Sequence, residues 1–140
     1  MSDILEEEIQ PKYLFEGNEC ILEFDGRVAT VKEATKLGYK RAATGSIINV
    51  SNPKSKTRRG RVSHNAANTL LTSREQIVIQ GGCMRWLTER ESWRLQGIPD
   101  EYFDRAEKVT SSNQLYKQAG NGLTVDIARF IGERMGYETE

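Results

Sequence analysis

The chain has 140 residues and a formal net charge of zero, from 20 basic and 20 acidic side chains. That is one ordinary domain by length, short for an enzyme that must hold both a cofactor and a long substrate. No apolar run approaches the roughly 20 residues of a membrane span and no signal peptide opens the chain, which sets aside membrane and secretory classes.

The charge is unevenly spread. Residues 1–25 carry eight acids (Asp3, Glu6, Glu7, Glu8, Glu16, Glu19, Glu23, Asp25) against Lys12, whereas residues 26–64 carry ten Lys or Arg against Glu33. This pattern suits a polyanionic partner for the middle segment, or a solvated loop compensated by an acidic arm. Cys20 and Cys83 form no CxxC pair, and with the lone His64 they build no zinc site. They read as reduced thiols of a cytoplasmic protein, and His64 reads as a loop residue without a chemical role.

In chain order, residues 2–8 suggest an acidic helical turn stopped by Pro11. Cys20 to Val31 reads as a hairpin turning at Asp25-Gly26. Ala34 to Arg41 reads as a short polar element. Ile47 to Val50 reads as a strand closed by Ser51-Asn52-Pro53. A basic loop follows, then Ala67 to Thr72 and Gln76 to Gln80 as short strands. Up to Gly82 the pattern is short strands and long loops, a poor scaffold for a large core.

The character changes after Gly81-Gly82. Thr88-Glu89-Arg90-Glu91 has the form of a capping box, and predicts a helix from Glu89 to about Gln96, ended by Gly97 and Pro99. Arg90, Glu91 and Arg94 are spaced to pair along that helix's face. Asp104 to Ser112 reads as a loop. Ser111-Ser112-Asn113-Gln114 repeats the capping signal, with Gly120 where the helix would close. Leu123, Ile127 and Ile131, with Ala128 and Met135 beside them, draw one apolar stripe on a final helix.

Two segments carry a family resemblance. Arg85-Trp86-Leu87-Thr88-Glu89-Arg90-Glu91-Ser92-Trp93-Arg94-Leu95-Gln96-Gly97-Ile98-Pro99-Asp100 is followed about fifteen residues later by Tyr116-Lys117-Gln118-Ala119-Gly120-Asn121-Gly122-Leu123-Thr124-Val125. In this order they resemble the ninth and tenth conserved motifs of bacterial and phage DNA cytosine-5 methyltransferases. Upstream, Ser2 to Glu6 with Lys12-Tyr13, and Asn49 to Arg61, resemble recognition regions of that family. Asn68-Thr69-Leu70 resembles its Thr-Leu pair, which steadies the phosphate backbone near the flipped base.

The resemblance implies an α+β fold: a small strand-and-loop target recognition region over residues 1–84, then C-terminal helices over 85–140 that would complete a Rossmann-like methyltransferase domain. It gives Arg90, Glu91 and Arg94 a structural role, which is also the plain reading of a capped helix. It sets Asn121 and Gly122 against an S-adenosyl-L-methionine pocket, where the family carries Ser at the second position. Without the resemblance, Gly120-Asn121-Gly122 reads either as a C-cap followed by an N-cap, or as a helix N-terminus whose backbone N–H groups suit an anion.

Lys54, Lys56, Arg58, Arg59 and Arg61 place five cations within eight residues. Phosphates would take their charge, and Arg can grip guanine O6 and N7 bidentately. With Thr69 and Leu70 they form the expected DNA-binding set, with double-stranded DNA as the partner. A disordered basic surface loop is the competing reading.

The family's nucleophile sits in a Pro-Cys dipeptide, but Cys20 follows Glu19 and Cys83 follows Gly82. Its Gly-rich cofactor turn and its Glu-Asn pair have no counterpart before residue 80. The chain is therefore expected to act as the recognition half of a methyltransferase, inactive by itself. A partner half would bring the cofactor domain and the nucleophile. A homo-oligomer through the unpartnered final helix is a further expected association. Two other classes stay open: a stand-alone DNA-binding module, and a methyltransferase remnant acting through protein interaction.

Overall fold

The computed structural model describes residues 3–136, which form two units. One comprises residues 3–69 and 74–87, the other residues 70–73 and 88–136. Together they make a mixed α+β chain. Among the described residues, no helix is long and apolar enough to cross a membrane.

The first unit is built from strands. Asp3 to Glu8 forms turns rather than a helix, and a single 3-10 turn spans Pro11–Tyr13. Strands β1 (Ile21–Phe24), β2 (Val28–Lys32) and β3 (Tyr39–Ala43) form an antiparallel sheet in that order. The expected turn at Asp25-Gly26 joins β1 to β2. Asp25 Oδ1 accepts the amides of Val28 (2.7 Å) and Arg27 (2.8 Å), and these bonds hold its carboxyl below the usual carboxylate range. The polar stretch at 34–41 divides into a turn and the start of β3.

The second sheet runs β5 (Val62–Ser63), β4 (Ile47–Asn49), β6 (Gln76–Gln80), β7 (Cys83–Trp86), all antiparallel. Gly81 and Gly82, at φ 59° and 79°, form the two-residue turn between β6 and β7. That left-handed pair is the hairpin geometry side chains resist and glycine adopts. The sheet continues past the change of character there, because the chain pairs back as β7. Ala29, Val31 and Ala42 of the first sheet pack with Ile48, Ile77, Ile79 and Met84 of the second, around Cys20, Val50 and Val62. Ala67 to Thr72 is not a strand. Among the described residues no strand pairs with it, and the Gln76 side chain bonds its backbone instead.

The second unit contains α1 (Glu89–Leu95), α2 (Asp100–Glu107), α3 (Ser112–Asn121) and α4 (Val125–Arg134). The capping box forms as expected: Glu91 N donates to Thr88 Oγ1 (3.1 Å) and Thr88 N to Glu91 Oε2 (2.8 Å). Gly97, at φ +76°, ends α1. Helix α2 takes up the first four residues of the stretch read as a loop, leaving only residues 108–111 between α2 and α3. Trp93, Phe103, Leu115 and Ala119 form the core, with Leu70, Ile98 and Ala106 packed against it. The Trp93 and Phe103 rings meet edge to face at 5.4 Å, and Trp93 Nε1 donates to the Leu115 carbonyl at 3.0 Å.

Arg90 and Arg94 find partners beyond their own helix. Glu91 is fully buried in the cap, while the two arginines reach across to α2. Arg94 donates Nε to Asp100 Oδ1 (2.8 Å) and Nη2 to Oδ2 (2.6 Å). Arg90 meets Asp104 at 2.7 Å and lies over the Phe103 ring at 4.6 Å. The Arg94 hydrogen bonds, aided by the charge of Arg90, hold the Asp100 carboxyl below its usual range. A depressed folded-state pKa contributes stability above the ordinary aspartate value of about 4, lost as pH falls through the folded value. Asp100 is 41% exposed, so solvent screening keeps the effect small. Asp100→Asn is expected to lower the melting temperature by a few degrees at about pH 7, with the gap closing as the medium is made acid. A gap that persists in acid would remove the pair from the account.

Candidate nucleic-acid interface

The basic loop leaves β4 and returns at β5. Asn52 takes φ 50° and Ser55 N donates to the Asn52 carbonyl at 3.0 Å, turning the chain sharply at Pro53. On the far side, Arg59 Nε donates to the Ala34 carbonyl (2.8 Å) and Ala34 N to the Arg58 carbonyl (2.8 Å). The loop is thus pinned to the strand unit rather than free. It encloses an open cleft of about 880 Å³, lined by Asn52, Pro53, Lys54, Ser55, Thr57, Arg58 and Arg59. Lys54, Lys56 and Arg59 are exposed and Arg58 is half-buried. The side chains of Lys54, Lys56 and Arg58 make no hydrogen bond or ion pair among the described residues. A cleft that clusters cations without neutralising them attracts a polyanion.

Arg61 departs from the expected set. Its side chain is 1% exposed, and its guanidinium donates to the main-chain carbonyls of Asn49, Ser51 and Asn52. It cannot reach a phosphate from there; its hydrogen bonds hold the loop.

Thr69 is exposed, on a segment held by a buried side chain rather than a strand ladder. Gln76 Nε2 donates to the carbonyls of Asn68 (3.0 Å) and Thr69 (3.2 Å), and Asn68 N donates to Gln76 Oε1 (3.0 Å). Asn68 Nδ2 reaches the Arg61 carbonyl at 3.1 Å, tying this segment to the foot of the basic loop. Leu70 does not face outward with Thr69: its side chain packs against the helical core. Gln76 was not singled out by sequence, and Asn68 entered only as the neighbour of the Thr-Leu pair. The glutamine inside an apolar strand run, Gln76-Ile77-Val78-Ile79, is the signal that could have found the first.

Gly120 and Asn121 form the last turn of α3, and Gly122 is its C-cap. The turn is therefore a helix end, one step before the N-cap Thr124 of α4. Gly122 N donates to the Ala119 carbonyl (3.4 Å), so the expected anion-facing donor at Gly122 is turned back onto its own helix. Asn121 is exposed. Gln96, also missed by sequence, organises this corner. Its Nε2 donates to the Ala119 carbonyl (2.6 Å), its Oε1 accepts from Thr124 Oγ1 (3.0 Å), and its carbonyl accepts from Val125 N (2.9 Å).

Neither cysteine resembles an exposed nucleophile. Cys20 is fully buried, its thiol donating to the Val50 carbonyl at 3.5 Å, and burial pushes the thiol pKa up. The Cys83 thiol donates to the Gln80 carbonyl at 3.1 Å.

The family model for C-5 cytosine-specific DNA methylases matches residues 1–137. A type II methyltransferase, M2.ScrFI of Lactococcus lactis subsp. cremoris, is 46% identical over 43 residues, covering 31% of this chain and 12% of that protein. The orphan methyltransferase M.Rho11sI of Bacillus phage rho11s is 51% identical over 49 residues, 34% of this chain and 10% of that protein. The DNA (cytosine-5)-methyltransferase CMT2 of Oryza sativa subsp. japonica is 39% identical over 64 residues, 46% of this chain and 4% of that protein. No solved structure matches significantly. The chain belongs to the C-5 cytosine-specific DNA methylase family. The matched segments span about a tenth of the first two of these relatives.

Proposed function

We propose that this chain is the DNA-recognition part of an S-adenosylmethionine-dependent DNA cytosine-5 methyltransferase. Methyl transfer then needs a second part, in a separate chain or a longer one, that carries the Rossmann-like cofactor domain and the Pro-Cys nucleophile. The observation that carries this reading is α4. None of its residues is buried, and Leu123, Ile127, Phe130, Ile131 and Met135 are between 45% and 68% exposed. An apolar stripe of that size is a docking face, because large exposed apolar patches are costly in a soluble chain. The final helix of this family returns to the cofactor domain, which supplies the missing cover.

The cleft of the basic loop and the exposed Thr69 form the DNA-facing side of this reading. Lys54, Lys56, Arg58 and Arg59 bind phosphates or base edges, and Thr69 steadies the backbone beside the base that the complete enzyme extrudes. S-adenosylmethionine supplies the methyl group when bound. The end of α3 fits one wall of its pocket, since Asn121 offers an exposed carboxamide and Gly122 carries no side chain. By itself this wall is expected to bind the cofactor weakly.

Replacing Lys54, Lys56 and Arg58 together by alanine is expected to weaken duplex binding and to reduce the log–log salt slope by roughly 3. Fluorescence anisotropy with a labelled duplex between about 50 and 200 mM salt reads both. A slope identical to wild type would take these cations out of the interface.

A further inference from the structure

We infer that Arg61 is a positioning residue for DNA recognition, an internal latch that holds the basic loop in its binding shape without touching DNA. The inference rests on the proposed DNA-facing role of that loop.

The two feet of the loop meet at Arg61. One foot, residues 49–52, offers three carbonyls: Asn49 (3.1 Å) and Ser51 (2.6 Å) accept from Nη1, and Asn52 (2.9 Å) from Nη2. The other foot is Arg61 itself, whose carbonyl accepts from Asn49 N (2.8 Å) and Asn68 Nδ2 (3.1 Å). The same residue therefore closes the loop through both its main chain and its side chain. Its acceptors are neutral peptide groups. A buried cation held by carbonyl dipoles is worth keeping only where its geometry does something, because an apolar residue would cost less to bury.

That geometry fixes Asn52, whose left-handed φ of 50° sets the turn at Pro53 and the mouth of the cleft. A planar guanidinium can serve three carbonyls at fixed angles. A lysine ammonium on a longer flexible stem keeps the charge but cannot reproduce the fork. Charge and geometry are therefore separable by one substitution. The latch also reaches the second DNA-facing segment, because Asn68 joins the Arg61 carbonyl to the stretch carrying Thr69. Arg61 thus keeps the cleft cations and Thr69 in one arrangement before DNA arrives, and preorganisation of this kind raises affinity by lowering the ordering cost of binding.

The test uses the full chain as wild type, Arg61→Lys and Arg58→Ala. Trypsin cuts after Lys54, Lys56, Arg58 and Arg59 whenever the loop opens. Arg61→Lys is expected to be cut there about tenfold faster than wild type, well below its melting temperature. Its duplex affinity is expected to fall about tenfold with the salt slope unchanged, whereas Arg58→Ala loses about one unit of slope. An Arg61→Lys protein with wild-type cutting and wild-type affinity overturns the latch. So does wild-type cutting with a changed slope, which marks Arg61 as a direct phosphate contact. Wild-type protein that binds no duplex at low salt defeats the DNA reading instead, and leaves the latch to stand or fall on cutting alone. Should Arg61→Lys fail to fold, hydrogen exchange on the wild type decides. Asn49 and Ser55 amides protected about tenfold or more over the free chain support a closed loop, and unprotected amides refute it.

Discussion

Gly120→Ala is expected to lower the melting temperature of the helical unit by about 10 °C, although alanine is the better helix former. A Cβ at this position would lie 2.3 Å from the Leu71 carbonyl oxygen, 2.4 Å from its carbon and 2.7 Å from Thr72 N. These are backbone atoms, so no rotamer change relieves the clash. The segment 70–73 must move away from α3, and Leu70 leaves the core around Trp93 with it. Overpacking of this kind costs about 1–3 kcal/mol or more, against a gain of about 1 kcal/mol in helix propensity. Gly132→Ala on α4 is the control, because a Cβ there meets nothing within 4 Å. It is expected to raise stability slightly. Differential scanning fluorimetry of the two variants, supported by circular dichroism, should give shifts of opposite sign. Equal stabilisation by both would mean that Gly120 does not sit against Leu71.

The contrast between these glycines illustrates what was legible in the sequence. Features written in a few adjacent residues could be read: the Asp25-Gly26 hairpin, the capping box from Thr88 to Glu91, the stop at Gly97 and the stripe on α4. Features set by distant partners could not. Pro99 was read as the end of one helix, but it also serves as the N-cap of α2, whose single buried residue, Phe103, leaves almost no periodic signal. Arg90 and Arg94, spaced with Glu91 along one helix face, also take tertiary partners on α2 that no local pattern announces. Arg61 is indistinguishable in sequence from Arg58 and Arg59. Only the carbonyls of Asn49, Ser51 and Asn52, brought round by the turn at Asn52, turn it inward. The segment from Ala67 to Thr72 was read as a strand, but the side chain of Gln76 takes the backbone of its first half instead of a ladder. The family was legible because the segments Arg85 to Asp100 and Tyr116 to Val125 each keep their resemblance to it in consecutive residues.

The second large effect concerns α4. Charging its stripe with Ile127→Glu and Ile131→Glu should leave the strand unit and the core around Trp93 intact, because both residues are about half exposed. The same change should abolish docking onto a cofactor domain, since two buried carboxylates without partners cost several kcal/mol. In the wild type this face also offers a route to self-association, which sedimentation across a concentration series would register. Persistent monomers of wild type and variant alike would rule that route out while leaving docking to be tested directly.

The decisive measurement is transfer of a labelled methyl group from S-adenosylmethionine to mixed-sequence duplex DNA. The assay compares the chain alone, the chain with a cofactor-binding half that carries the Pro-Cys nucleophile, and that pair with Ile127→Glu and Ile131→Glu. The account predicts no cytosine-C5 label from the chain alone, label from the wild-type pair, and loss of label with the charged helix. Cytosine-C5 labelling by the chain alone, abolished by Cys20→Ser or Cys83→Ser, would contradict it.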